Sequence, residues 1–67
     1  MRRYFEVRQQ VKLVNRSWLE QVYISESERV ATMTYKSLVA ENPDCYFELV
    51  EVEHNEKTVL FTSKVDS

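Results

Sequence analysis

Few side chains in this sequence could react or hold a metal: one cysteine, one histidine and eleven carboxylates. Glu51 and Glu53 stand two apart and share one face of an extended strand. Paired carboxylates do acid–base work only in a water-poor cleft that separates their pKa values. A chain of 67 residues has little cleft to offer, so these read as glutamates on a solvated strand. His54 and Glu56 supply two ligands where a closed metal site takes about four. Cys45 lies nine positions before the only histidine. A cysteine nucleophile needs an adjacent base and an orienting group, and a free cysteine is more often a small buried hydrophobe. There is no glycine, which removes phosphate-cradling loops, dinucleotide fingerprints and the strained nucleophile elbow. The expectation is a non-enzymatic chain with no catalytic residue, metal ligand or cofactor.

The elements that would position any site fit into a single domain, residues 1–67. A domain of this size buries only ~60% of its unfolded surface, so good packing or self-association must supply stability. The lone cysteine fits a reducing compartment. No apolar run is long enough to span a bilayer, and Met1-Arg2-Arg3-Tyr4-Phe5 leads into alternation rather than a secretory stretch. A cytoplasmic protein without a membrane partner is expected. Net charge is −2 but unevenly placed: residues 1–24 hold five cations against two acids, and residues 25–67 hold four against nine.

Residues 4–14 alternate, with Phe5, Val7, Val11 and Leu13 on one side and Tyr4, Glu6, Arg8, Gln10 and Lys12 on the other. Residues 18–24 alternate too, with Trp18, Val22 and Ile24 opposed to Leu19, Gln21 and Tyr23. An Asn15-Arg16 loop would set Leu13 against Trp18, Val11 against Glu20, Gln9 against Val22 and Val7 against Ile24. Arginine is a poor second loop residue, which leaves room for a longer loop. Ser25 and Glu28 form a capping box, opening a helix over about 26–41. Val30, Ala31, Thr34, Tyr35, Leu38 and Val39 share its inner half, and Pro43 stops it. A third strand covers 45–53, with two parities open: Phe47 and Leu49 inward, Val50 and Val52 inward, or all four through a bulge near Leu49–Val50. His54-Asn55-Glu56-Lys57 is the turn to a fourth strand at 58–65, with Val65-Asp66-Ser67 fraying.

The expected fold is α+β, ββαββ: a four-stranded antiparallel sheet of order 2-1-3-4 with one helix packed on one face. A right-handed crossover from the second strand places the third beside the first. Arg8 and Lys12 then neighbour Glu48, Glu51 and Glu53, which favours that pairing.

The face opposite the helix would show Tyr4, Arg8, Lys12, Leu19 and Tyr23. Tyrosine, leucine and arginine suit the core of a protein interface. Homodimerisation through that face or along an edge strand would offset a weak monomer core. The blander reading is tyrosines satisfying β-propensity on a solvated strand. The alternative function is a single-stranded nucleic-acid binder in which the same hairpin stacks bases and holds phosphates.

Residues Ser25–Val52 read as a capped helix, then Glu41-Asn42-Pro43-Asp44, then Tyr46-Phe47-Glu48-Leu49-Val50-Glu51-Val52. This segment, with Trp18 ahead of it, resembles the helix–Asn-Pro–strand part of small accessory proteins encoded by bacteriophages. The resemblance implies a protein in the cytoplasm of a bacterial host that binds and blocks a host protein. It carries over no site residue.

Overall fold

The computed structural model describes residues 3–63. They form β1 (Arg3–Lys12), β2 (Ser17–Ser25), α1 (Glu28–Glu41), β3 (Phe47–Glu53) and β4 (Glu56–Thr62). The four strands make one antiparallel sheet in the order β2-β1-β3-β4, with α1 on one face, as the sequence pattern predicts.

The β1–β2 turn is longer than Asn15-Arg16. Lys12 pairs with Ser17, leaving a four-residue loop, Leu13 to Arg16, closed by the Leu13 N–H donating to the Arg16 carbonyl at 2.8 Å. Without glycine at its second position a two-residue turn is strained, and the longer loop relieves it. The register shifts with it: Val11, not Leu13, faces Trp18. A bulge then follows, because Val7 pairs with Tyr23 and Arg8 with Gln21, leaving Val22 as the extra residue. The bulge inverts the faces expected at the end of β2. Tyr23 turns to the helix side, and Ile24 pairs with Glu6 on the far side.

The helix starts two residues later than expected. Ser27, not Ser25, is the N-cap, its Oγ accepting from the Val30 N–H at 3.2 Å. Ser25 still ends β2, and its Oγ accepts from the Ser27 N–H at 3.0 Å, tying strand end to helix start. At the other end Asn42 donates from both its backbone N–H and its Nδ2 to the Leu38 carbonyl, each at 3.0 Å, and Pro43 follows. Ala31 and Tyr35 are the buried helix residues, Leu38 and Val39 pack beside them, and Val30 lies exposed rather than inward.

Phe47 and Leu49 face α1, where they join Phe5, Val7, Ala31 and Tyr35. Full burial of each large apolar side chain contributes about 1.5–3 kcal/mol. The irregularity at Leu49/Val50 lies in the pairing with β4: Leu49 meets Phe61 and Val50 meets Val59, so Leu60 is the extra residue and β3 keeps strict alternation. Val50 and Val52 therefore face away from the helix, yet are 1% and 5% exposed. Their strand neighbours flank them, Glu6 and Val59 beside Val50, Tyr4 and Lys57 beside Val52.

The β3–β4 turn is tight. Glu53 pairs with Glu56, so His54 and Asn55 alone span it, at φ of 54° and 66°. Positive φ at both central positions belongs to a type I′ hairpin, which glycine usually serves. The looser turn over 54–57 is thus replaced, and β4 begins at Glu56 instead of residue 58. The expected strand residues 64–65 and the fraying of Val65-Asp66-Ser67 lie outside the described residues.

Candidate functional site

The helix is about 21 Å long at 1.5 Å per residue, whereas ten-residue β1 extends about 34 Å. One end of the sheet therefore outruns its cover. The β1–β2 hairpin projects, and every residue from Lys12 to Val22 is exposed. The molecule measures 39 × 24 × 16 Å with a radius of gyration of 12.2 Å, against about 11 Å for a compact domain of this length. Among the described residues, six of the ten exposed large hydrophobics lie on this arm: Leu13, Val14, Trp18, Leu19, Val22 and Ile24.

Leu13 and Val14 form the tip, between Lys12 and Arg16. The Arg16 guanidinium sits 4.8 Å from the centre of the Trp18 ring, on the helix side of β2. Leu19 and Ile24 point to the opposite side, beside Gln10 and Glu6. The strand thus carries apolar groups on both faces while, among the described residues, no strand pairs with its outer edge.

Of the five residues singled out from sequence, four share the face away from the helix: Tyr4, Arg8, Lys12 and Leu19. Tyr23 does not join them, because the Val22 bulge sends it into the side of the core. Arg8 is half-buried and committed: its Nε donates to Glu6 Oε1 at 2.9 Å, and its Nη2 lies 2.8 Å from the same oxygen as an ion pair. Glu6 is only 6% exposed. Opposite Arg8 across the sheet lies Glu48, which accepts from the Tyr46 hydroxyl at 2.8 Å. Partial burial, and next the Glu48 carboxylate, hold the Tyr46 pKa above its usual value. On the other face, the side of Phe5, Arg3 bridges to Glu51 at 3.3 Å and lies 5.5 Å from the Phe5 ring centre. The middle of the face away from the helix is therefore closed by its own side chains, and the free apolar surface lies along β2.

Leu13, Val14 and Trp18 escaped the sequence reading because their parity assigned Leu13 and Trp18 to the core side. The signal that finds them is length: one 14-residue helix cannot cover a hairpin with a ten-residue first strand to its tip. Cys45 is half-buried and receives the Gln9 Nε2–H at 3.4 Å. His54 sits in the β3–β4 turn. Among the described residues no three His, Cys, Asp or Glu side chains group as metal ligands, and no helix is long and apolar enough to cross a membrane.

No protein-family model, no curated protein and no solved structure matches this chain.

Proposed function

We propose that this chain is a small non-enzymatic interaction module that docks on a protein through the exposed apolar side chains of its projecting hairpin. In the setting suggested by the likeness to bacteriophage accessory proteins, the partner is a protein of the bacterial host and the effect is to occupy its surface. The observation that carries the reading is the concentration of exposed apolar side chains on one uncovered arm. Six exposed large apolar side chains on one arm exceed the single scattered ones that need no explanation, and such clustering marks interaction sites. The mechanism is steric and calls for no reacting group.

The single-stranded nucleic-acid reading draws less support. It drew on Arg8 and Tyr23, and Arg8 is paired with Glu6 while Tyr23 packs beside the core. Only Lys12 and Arg16 remain as exposed cations on the arm.

Affinity capture from host lysate tests the proposal, with the natural chain beside a Leu13→Ser, Leu19→Ser, Val22→Ser variant. The variant should fold and lose the captured protein. Capture that persists with the variant sinks the proposal. Capture of nucleic acid that weakens steeply between low and moderate salt would support the alternative.

A further inference from the structure

We infer that the β2 edge receives a second copy of this chain, the two β2 strands pairing antiparallel about a two-fold axis at Leu19. The inference rests on the interaction-module reading and adds a second copy of the chain at the β2 edge, leaving the exposed hairpin tip, Leu13 and Val14, for the host protein. Joined so, two four-stranded sheets become one continuous sheet.

An unpaired edge invites another strand, and proteins normally guard it with lysine, proline, a short length or a bulge. β2 carries one such guard, the Val22 bulge, which leaves Ser17–Gln21 as its regular edge. β2 has nine residues, no proline, no cation and a single charge, Glu20. The other edge, β4, carries Glu56 and Lys57. β2 also shows apolar groups on both faces, the pattern of a strand covered on both sides.

Symmetry restricts the register. A two-fold axis joining two edges in one sheet stands perpendicular to it and preserves the faces. Only residues of like parity can then oppose each other, so the axis passes through a residue. The Val22 bulge limits the regular ladder to Ser17–Gln21, whose middle is Leu19. Centred there, Leu19 meets Leu19, Trp18 meets Glu20 and Ser17 meets Gln21 of the second copy. An axis at Glu20 would oppose two carboxylates, which repel. An axis at Trp18 or Gln21 would run the ladder into the loop or the bulge.

Charge fits the same register. Arg16 lies over the Trp18 ring, so Glu20 of the second copy arrives beside a guanidinium, and symmetry makes two such pairs. Within its own sheet Glu20 faces Gln9.

The test uses the full chain. With Cys45→Ser in place, Trp18→Cys, Leu19→Cys, Glu20→Cys and Gln21→Cys are made singly and oxidised. Directly opposed residues of an antiparallel pair fall within disulfide reach. Leu19→Cys should cross-link fastest, with rates falling on both sides. Sedimentation equilibrium at tens of micromolar should give twice 8.1 kDa for the natural chain. Leu19→Lys should halve that mass with an unchanged circular dichroism spectrum, while Thr58→Lys on β4 should not. A monomer at every concentration, or a dimer broken by Thr58→Lys and not by Leu19→Lys, overturns the inference. If the chain is monomeric and Leu19→Lys still abolishes capture of a host protein, self-pairing falls while the interaction-module reading stands. If the dimer forms and the host captures nothing, the blocking role falls while self-pairing stands.

Discussion

Replacing Arg8 with alanine should unfold the protein more readily than it weakens any binding. Arg8 looks like a surface cation in the sequence, but its guanidinium neutralises Glu6, which is almost fully buried, through two contacts under 3 Å to one carboxylate oxygen. Breaking a buried pair by removing one partner costs ~3–5 kcal/mol, because a desolvated charge is left uncompensated. The Arg8 end of this pair is less deeply placed, so the loss is set at about 2–3 kcal/mol, below that range. Glu6→Leu should cost under about 1 kcal/mol, since it leaves an apolar residue between Val50 and Ile24 and an arginine that can reach water. A 67-residue domain has only ~3–10 kcal/mol to lose, so Arg8→Ala removes a large share. At ~4–8 °C per kcal/mol the melting temperature should fall by about 10–20 °C. Urea and thermal unfolding followed by circular dichroism measure both variants. If Arg8→Ala costs less than Glu6→Leu, Arg8 is a free surface cation and the reasoning is wrong.

Other outcomes follow from the same structure. Ser27→Ala should cost about 1 kcal/mol in urea unfolding and Ser25→Ala clearly less, because only Ser27 caps the helix. Leu49→Ala should cost ~2–5 kcal/mol, whereas Val59→Ala, on the exposed β4 edge, should stay within about 0.5 kcal/mol. Asn55→Gly should raise the melting temperature, since it relieves a left-handed backbone position by up to about 1 kcal/mol. Tyr46 gives a pH signature. Its folded pKa lies above the ordinary 10.0, so its contribution is complete below that value and is lost as pH rises through the folded pKa. Stability should fall in that alkaline window, and Tyr46→Phe should flatten the fall in a pH series of urea midpoints.

The fold was largely legible because period-two alternation, a serine before a 3.6-residue pattern and Asn-Pro after it are local signals. What the pattern could not carry was phase. A bulge costs one residue and leaves no signature in a sequence without glycine, yet the one at Val22 moves Tyr23 to the helix side and sends Ile24 outward. The β3 ambiguity had the same origin: both valine positions are buried although no helix covers them, so apolar residues on both parities need no bulge in β3. The His54-Asn55 turn shows that two side chains tolerating left-handed geometry can serve where glycine is expected. At the candidate site, Lys12 and Leu19 were found by alternation. Leu13, Val14 and Trp18 needed a comparison of strand and helix lengths, and Arg8 needed the buried acid beside it.

On the proposed reading, a partner lands on the projecting hairpin. The emission of Trp18 tests it most directly, because it is the only tryptophan and sits 37% exposed on that arm. In dilute, uncomplexed chain it should emit as a partly exposed indole and be quenched in part by iodide. When a complex forms, with a second copy or with a host protein, emission should move to shorter wavelength and the quenching should drop. A complex that forms with no change in either would place the contact elsewhere and contradict the account.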